Sequence, residues 1–421
     1  MSRWTIFSLL CLSLVMGGAV AQTDMVSIRD TGAVGDGETD DTDAIIAAVQ
    51  QARDTDQNVY VPKGEYRISR AIELDKVTLT GPVATAWPAD ANVLPSFRPV
   101  HSDGPAFHLL EGGGLSWVDI TYPTDREIRE GDLAVLVSGI GTYVSNARIR
   151  YAWDGILADG DHNVGRSNFE NIFMVSIRNI GVRITGTWDV PRLHNIEVWN
   201  AGPVPRGLEE GIGFHLGMND LIRMTDCFVF AMQYGFLFED EIEGLEIDGP
   251  TWGVMNGCST DFCGIGVEVR GDHTVSISGG SFWNHHQSLV VDGEGARVRM
   301  SGSELKSNGA PAVLVRNSDH VVITGNSLLR DMEEHRGPAV VLEGGRTVLG
   351  SNHIKSYGVG VQIQPEVKAA QIHGNSIDSH GHPAIENDAE VDAAVQIEGN
   401  LTVPSLPAPP PEQEQVAQQM P

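Results

Sequence analysis

The sequence predicts an all-β solenoid, a parallel β-helix of about 13 coils with an N-terminal capping helix. Glycine accounts for 48 of the 421 residues, a share typical of a chain with many sharp turns. From about residue 115, a turn-forming residue recurs every 23 to 31 residues. Apolar residues stand at fixed distances on either side of it, as expected of short strands that stack into coils.

Twelve anchor residues carry the period, and the chain must turn sharply at each of them. They are Asp119, Asn146, Asn171, Asn195, Asp226, Gly249, Gly279, Gly302, Gly325, Ser351, Gly374 and Gly399. The residue two positions before each anchor is apolar, and so is the residue three positions after all but the last. Stacked coils bury these residues in one continuous core, and stacked asparagines can hydrogen-bond between coils. The leucine-rich repeat has a similar period, but its L-x-x-L-x-L pattern is absent.

The two ends of the repeat differ in composition. Residues 40–53 predict an amphipathic helix, N-capped by an aspartate or a threonine, with Ile45, Ile46, Val49 and Ala52 on its apolar face. Such a helix protects the open edge of the first coil. We expect residues 22–75 to form this cap and the first coil, and residues 76–403 to form the β-helix. Residues 404–421, rich in proline and glutamine, are predicted to be disordered.

The first 21 residues have the pattern of a secretory signal peptide. Arg3 precedes a short apolar run, and Ala19-Val20-Ala21 forms a cleavage site. The run is too short to span a bilayer, and no later stretch reaches the roughly 18 apolar residues of a membrane span. We therefore expect cleavage after Ala21 and a secreted or periplasmic protein without a membrane span.

Charge and cysteine content narrow the possible partners. The formal net charge is −28, which argues against binding to nucleic acid or to anionic membranes. After removal of the signal, Cys227, Cys258 and Cys263 remain. Cys258 and Cys263 could close a small disulfide loop, or the three could be inert thiols; their spacing is weak evidence for a metal site. No cofactor is expected.

Residues 30–66, DTGAVGDGETDDTDAIIAAVQQARDTDQNVYVPKGEY, resemble the N-terminal segment of the pectate-lyase-like superfamily, in its rhamnogalacturonase and epimerase-like branch. The resemblance implies a right-handed β-helix, with this segment as a cap that carries no catalysis. Asp40 and Asp41 are then helix-capping residues. It also implies extracellular carbohydrate as the partner, with lyase, hydrolase or epimerase chemistry. The polygalacturonase motifs are missing: only Ser379-His380-Gly381-His382 comes near them, without the upstream aspartate pair.

An outward row of aromatic residues is the first candidate for a binding site. Four positions after successive anchors stand Trp199, Phe230, Gly253 and Trp283, and if the third position points inward the fourth points outward. Exposed rings in a row suit the apolar faces of sugars, although loops could cover them instead. Trp252 falls in the inward row and is expected in the core.

Carboxylates near this row are candidates for catalysis. Insertions at residues 200–222 and 253–275 are expected to wall the row, because long loops on a regular rod tend to carry function. Asp226 and Asp248 are predicted on adjacent coils, with side chains about 6 Å apart, close to the spacing of glycosidase carboxyl pairs. Glu197 is a third candidate. The alternative is that Asp226 only makes its turn and Asp248 is a solvated surface charge.

Two charged stretches favour different kinds of glycan. Residues 239–248, EDEIEGLEID, form a solvated acidic face that could hold a cation weakly and would repel polyuronates. Upstream, arginines cluster with few opposing acids, and an acidic glycan could lie there. Arg192 and His194 are the candidates for binding such a glycan. The cluster comprises Arg148, Arg150, Arg166, Arg178, Arg183 and Arg192.

Together these features predict a secreted β-helix that binds an extracellular polysaccharide. We favour glycosidic-bond hydrolysis by a carboxylate pair slightly over lyase chemistry on an acidic glycan. A non-catalytic glycan-binding or structural rod, similar to a tailspike or an adhesin, is the alternative. We expect a monomer or a homotrimer.

Overall fold

A computed structural model describes residues 25–85, 93–200, 210–330 and 332–403. In these residues the chain is a parallel β-solenoid of about 14 turns, and every pairing between named strands is parallel between successive coils. The predicted signal peptide and the predicted disordered tail lie outside the described residues. No described helix is long and apolar enough to cross a membrane.

The coils build two sheets. One sheet receives a single strand from each coil, in chain order. Its 13 strands are Ile72–Leu74, Gly104–Leu109, Asp132–Val137, Asp154–Ala158, Ile180–Ile184, Ile212–Leu216, Tyr234–Glu239, Ile265–Arg270, Leu289–Asp292, Val313–Asn317, Val340–Leu342, Val361–Ile363 and Ile385–Asn387. Alternate residues of these strands point into the core, for example Phe214, Phe236 and Val267.

The other sheet bends within each coil and contains 27 strands. They are Val26–Ser27, Asp36–Asp40, Val59–Tyr60, Glu65–Ile68, Thr78–Thr80, Ser96–Pro99, Gly114–Ser116, Asp119–Thr121, Tyr143–Arg150, Asn168–Ile177, Arg192–Asn200, Asn219–Thr225, Phe228–Phe230, Thr251–Asn256, Ser259–Cys263, Thr274–Ser278, Ser281–Asn284, Arg297–Ser301, Glu304–Ser307, His320–Thr324, Ser327–Arg330, Gly345–Gly350, His353–Ser356, Val367–His373, Ser376–Asp378, Ala394–Glu398 and Leu401–Thr402.

The bend in each coil is made by one residue in the left-handed region. From the third coil onwards these residues are Trp117, Asn146, Asn171, Asn195, Asp226, Gly257, Gly279, Gly302, Gly325, Ser351, Gly374 and Gly399. Ten of the twelve predicted anchors are therefore confirmed. The two errors are Asp119, where Trp117 (φ 56°) makes the bend, and Gly249, where Gly257 (φ 66°) makes it.

The error at Gly249 has a physical cause. An insertion precedes strand Thr251–Asn256, and its apolar residues imitate the pattern expected around a bend. The true bend lies at Gly257, so Met255 and Thr260 are the buried neighbours. Trp252, predicted in the core, points outward with 49% of its surface exposed. The prediction of a core position for Trp252 is wrong.

The predicted insertions also need correction. Residues 253–275 are occupied by the regular strands Thr251–Asn256, Ser259–Cys263 and Ile265–Arg270. The irregular segment of that coil is instead 240–250. Residues 201–209 of the first insertion lie outside the described residues, and the strand Ile212–Leu216 follows directly.

Stacked asparagines connect the coils in two series: one at the bends, as the sequence predicts, and a longer one at the residues that directly follow the bends. The Asn326, Asn352 and Asn375 amides each donate to the Oδ1 of the next asparagine, at 3.1, 3.0 and 2.9 Å, ending at Asn400. A shorter series runs from Asn195 to Asn171, at 3.0 Å, and from Asn171 to Asn146, at 3.3 Å. These bonds satisfy amide groups that would otherwise be buried without partners.

The N-terminal end is covered by the helix Thr42–Asp54, which confirms the predicted helix. It buries Ile45, Ala48, Val49 and Ala52 against the first coil. Asp41 occupies the N-cap position, but its carboxylate accepts from the backbone of Val34 and Gly35 instead of from the helix. Asp40 accepts the backbone N–H of Thr42 at 3.1 Å, so it is the aspartate that caps the first turn.

The three described cysteines are buried free thiols. The expected alternative of a disulfide between Cys258 and Cys263 is not present. Cys227 lies next to Cys258 on the neighbouring coil. The N–H of Ser259, which follows Cys258, donates to the carbonyl of Cys227. Burial raises the pKa of the Cys263 thiol to about 12, so this cysteine is chemically inert at neutral pH.

Candidate functional site

Strand segments after the bend present a continuous outward surface, which we call the aromatic face. On this face Trp199 pairs with Phe230, Phe230 with Asp261, Asp261 with Trp283, and Trp283 with Lys306. The three predicted aromatic residues therefore do stand in one row along the rod. The gap in the row holds Asp261, and not Gly253 as the sequence pattern suggested.

The rings on this face form a ladder across five successive coils. The members of this aromatic ladder are Phe173, Trp199, Phe230, Phe262 and His285. Neighbouring ring centroids are 5.5, 5.5, 5.8 and 5.4 Å apart. Of the predicted rings, Trp199 is 39% exposed and Trp283 is 46% exposed, so the two tryptophans reach solvent.

An open cleft of about 250 Å³ lies at the far end of the ladder. It is lined by Asp261, Phe262, Trp283, Asn284, His285, Lys306 and Asn308. Trp283 donates its indole N–H to Glu304 at 2.6 Å, and the Lys306 ammonium lies 5.1 Å from the centre of the Trp283 ring. These contacts fix the position of the indole in the lining of the cleft.

Two titratable groups in the cleft are shifted in opposite directions. Burial raises the pKa of Asp261, although the backbone of Phe262 and the charge of His285 oppose the shift. Burial also lowers the pKa of His285, helped by His286 and opposed by Asp261. Within the described part of the chain, His285 Nε2 is buried without a hydrogen-bond partner. At neutral pH the cleft thus contains a neutral imidazole beside a carboxyl that holds its proton more tightly than usual.

Glu197 is the predicted catalytic residue that lies on this face. It pairs with Phe173 on one side and with Phe228 on the other. Burial raises the pKa of Glu197, and a hydrogen bond with Trp199 partly offsets this. Glu197 stands two coils before Asp261 and two residues out of its row, so two coil rises and two residue steps place their backbones about 12 Å apart.

The predicted pairing of Asp226 with Asp248 is wrong. Asp226 makes the bend of its coil, opposite Gly257. Asp248 lies in the irregular segment before strand Thr251–Asn256, and this six-residue strand of about 20 Å separates it from the bend. Both side chains are exposed. The error follows from placing the bend at Gly249.

Arg192 and His194 lie before the bend at Asn195, on the neighbouring side of the coil. Both side chains are exposed, and they pair with Asn168 and Glu170 of the previous coil. They therefore do not belong to the aromatic face. Their role in binding a glycan stays a prediction.

The arginine-rich coils are less open than the sequence suggested. Asp119 is fully buried and binds Arg148 and Arg150, at 2.7 and 2.9 Å. The Arg166 and Arg178 guanidinium groups also contact carboxylates, those of Asp189 and Glu210, at 2.5 and 2.6 Å. The expectation that few acids oppose these arginines is wrong, because the opposing acids lie on adjacent coils and not nearby in sequence.

A second group of charged side chains lies on the outside of the 13-stranded sheet. Arg270 donates to Glu268 at 2.9 Å, to Glu239 at 3.1 Å and to the Tyr234 hydroxyl at 2.9 Å. His215 Nε2 lies 2.9 Å from Glu239, and this hydrogen bond lowers the pKa of Glu239. The group connects three coils and uses the first carboxylate of the acidic run 239–248. Among the described residues, no three His, Cys, Asp or Glu side chains are placed to hold a metal ion.

Comparison with known families agrees with this architecture. A family model described as rhamnogalacturonase A/epimerase, pectate lyase-like, matches residues 25–93. A model of the right-handed β-helix region matches residues 263–403. The chain therefore has a pectate-lyase-like N-terminal segment and a right-handed β-helix region.

Individual proteins similar to this chain are distant from it or match only a short part of it. Alginate lyase 7 of Azotobacter vinelandii is 54% identical over 44 residues, which are 10% of this chain and 5% of that protein. The mannuronan C-5 epimerase AlgE4 A-module of the same organism is 16% identical, covering 90% of this chain and 99% of its own, with a TM-score of 0.50. A tailspike protein of E. coli bacteriophage HK620 is 9% identical, covering 84% and 71%, with a TM-score of 0.54. The two structural likenesses show the fold.

Proposed function

We propose that this protein binds an extracellular polysaccharide along the aromatic ladder and hydrolyses it beside the cleft. The observation that carries the proposal is the ladder itself, in which five rings in tilted or edge-to-face contact run along the rod and end at the cleft that contains Asp261 and His285. Its relatives include an alginate lyase and a mannuronan epimerase, and a tailspike neighbour has been solved with a pentasaccharide. The names of these proteins all refer to carbohydrates, which supports a carbohydrate ligand.

The geometry of the ladder suits an extended glycan. Aromatic rings offer apolar faces to the C–H groups of sugars while leaving the hydroxyl groups in water. Trp199 and Trp283 are exposed at opposite ends of the row. A chain that contacts both must lie parallel to the rod axis and cross Asp261 between them.

Two carboxyl groups on this path can share the work of hydrolysis. Asp261, whose pKa is raised by burial, would donate its proton to the leaving glycosidic oxygen. Glu197 would take the proton of a water molecule that attacks the anomeric carbon. The backbone spacing of about 12 Å between them leaves room for a water between the two carboxyl groups, which suits an inverting glycosidase and is wide for the closer pair of a retaining enzyme.

The contents of the cleft favour β-elimination as the second candidate. His285 is held neutral by burial and could take the proton next to a uronate carboxylate. Lys306 lies in the same cleft and could neutralise that carboxylate. Asp261 would then protonate the leaving oxygen, so that one proton is taken and one returned.

The experiment is to incubate the purified protein with neutral and acidic polysaccharides and to follow reducing ends together with the absorbance of unsaturated uronates. Reducing ends alone support hydrolysis, and both signals together support elimination. For hydrolysis, Asp261→Asn and Glu197→Gln should each lower kcat at least a hundredfold, whereas Asp226→Asn and Asp248→Asn should not. Binding without either product would contradict an enzymatic role and support a glycan-binding rod.

A further inference from the structure

Two arginines stand directly opposite each other on neighbouring coils, before the bend and outside the aromatic face. Arg192 pairs with Arg223. Both side chains are exposed, and each is followed in its strand by a core residue, Leu193 or Met224. Neighbouring coils are about 4.8 Å apart, so the two guanidinium groups can meet one ligand group outside the sheet.

This arrangement is unfavourable unless negative charge lies beside it, because like charges directly opposite each other destabilise a sheet. Arg67 and Arg98 are opposed in the same way near the N-terminal end. There, however, Arg67 lies 3.7 Å from a carboxylate oxygen of Asp40. Arg98 lies 3.0 Å from one of Glu65. These two acids compensate the repulsion between Arg67 and Arg98.

The pair on the later coils has no such compensation. Within the part of the chain that the structure describes, neither Arg192 nor Arg223 forms an ion pair with a carboxylate. Arg192 donates to the carbonyl of Val190 at 3.3 Å. Asp189 attracts Arg192, but its carboxylate is bound to Arg166 at 2.5 Å. Two adjacent positive charges thus face solvent on a protein whose formal net charge is −28.

An exposed indole lies beside the arginine pair on the following coil. Arg223 pairs with Val254, and Trp252 stands two residues before Val254 on the same outward side of its strand. The backbones of Trp252 and Arg223 are therefore about 8 Å apart. Trp252 is 49% exposed. Asp220 accepts its indole N–H at 2.7 Å, and this bond fixes the ring and engages that carboxylate.

We infer that Arg192 and Arg223 form a second binding site, for an acidic glycan. Both guanidinium groups hold one carboxylate or sulfate group, and the sugar ring packs against Trp252. Guanidinium groups bind such oxyanions through paired N–H donors, and an indole offers an apolar surface to the C–H groups of a sugar. The site goes beyond the proposed function, because it lies before the bend, whereas the cleft and the aromatic ladder lie after it.

The same column of the sheet contains a matched control. Arg299 stands three coils beyond Arg223 and is also exposed. Its direct neighbours are Ser276 on the previous coil and Val322 on the next. Arg299 therefore has the same charge and the same orientation as the paired arginines, but no cation directly opposite it.

The test compares dextran, dextran sulfate and polygalacturonate of similar length. Binding would be measured by affinity electrophoresis and calorimetry for the wild type, Arg192→Gln, Arg223→Gln, Trp252→Ala and Arg299→Gln. Each of the first three variants should lose about fivefold in affinity for an acidic polymer, and Arg299→Gln should lose none. A loss for dextran sulfate alone identifies a sulfate ligand, and a loss for polygalacturonate alone identifies a carboxylate.

Several results would overturn the second site. They are the absence of binding to both acidic polymers, an equal loss in Arg299→Gln, and an equal loss for neutral dextran. Without polymer, Arg223→Gln should keep or raise the urea midpoint, because it removes the repulsion; a lower midpoint would contradict the unpaired charge.

The failure of this site and that of the proposed function are distinguishable. Normal binding by both arginine variants, with weakened binding by Trp199→Ala, overturns the second site and leaves the aromatic ladder as the ligand path. Weakened binding by the arginine variants, with normal binding by Trp199→Ala, supports the second site and contradicts the ladder.

Discussion

Asp226 lies directly opposite Gly257 on the next coil, so that a Cβ atom added at Gly257 would stand 2.4 Å from Asp226 Oδ1. Both residues adopt the left-handed conformation, with φ of 53° and 66°. This stacking fixes the register of the coil that carries Asp261. It also explains why Asp226 faces the bend of the next coil and not Asp248.

Replacing Gly257 with alanine should destabilise the protein by about 1–2 kcal/mol, because an L-residue is strained in the left-handed region and its Cβ would displace the Asp226 carboxylate. Urea denaturation followed by circular dichroism would measure the loss. Gly104→Ala is the matched control, since its Cβ would meet nothing within 4 Å and its φ is not positive. An equal loss in both variants would contradict the explanation.

Much of this architecture is predictable from the sequence because each coil repeats the same local requirement. The chain must bend at residues such as Asn195 and Gly279, and the flanking positions must be apolar. Both requirements are local to each coil. Gly249 misled the prediction because Ile247 and Trp252 around it imitate the pattern, while the true bend at Gly257 is flanked by a buried threonine.

The candidate site depends on contacts between coils, which the local sequence pattern does not predict. Phe262 and His285 join the ladder because the pairing shifts by one residue after Asp261 and Phe262 takes a φ of 54°. The pKa of Asp261 rises because of burial by side chains of neighbouring coils. Such contacts join residues more than 20 positions apart, so Trp199, Phe230 and Trp283 were found from the repeat, while Phe262 and His285 were not.

The exposed tryptophans should carry a measurable part of polysaccharide binding. Trp199→Ala or Trp283→Ala should weaken binding about tenfold, since a stacked ring contributes roughly 1–2 kcal/mol. Trp188→Ala is the control, because Trp188 is 59% exposed but lies outside the aromatic face. Isothermal titration calorimetry with the polymer found to bind best would compare them. Equal losses for all three would mean that the ring position does not matter.

Asp154 gives the fold a specific pH dependence. Burial raises its pKa from 3.8 to about 6, against the hydrogen bonds from Asn179 and from the backbone of Ile180. The folded state therefore binds this proton more tightly than the unfolded state, and the resulting stability is present below about pH 4 and lost as the pH rises through 6. Asp154→Asn keeps an acceptor for both bonds and should stabilise the protein by about 2 kcal/mol near pH 8.

The gain from Asp154→Asn should disappear near pH 4, where the wild-type carboxyl is protonated. Asp132→Asn should change the stability of the protein in the opposite direction. Burial raises the pKa of Asp132, but the bonds from Arg126 and Ser102 outweigh it and hold the pKa below its usual value. That variant should lose stability at neutral pH and lose less in acid. Denaturation midpoints across this pH range would decide, and a pH-independent effect of Asp154→Asn would contradict the assignment.

The asparagine series should contribute most where it is buried on both sides. Asn352 Oδ1 accepts from the backbone N–H and the side-chain amide of Asn326, at 2.9 and 3.1 Å, while its own amide donates to Ile323 and Asn375 at 2.9 and 3.0 Å. Asn352→Ala leaves several of these groups buried without partners and should cost about 3 kcal/mol in urea denaturation. Asn400→Ala, at the half-buried end of the series, should cost about 1 kcal/mol. Equal losses at the two positions would show that the bonds within the series add little to the stacking of the coils themselves.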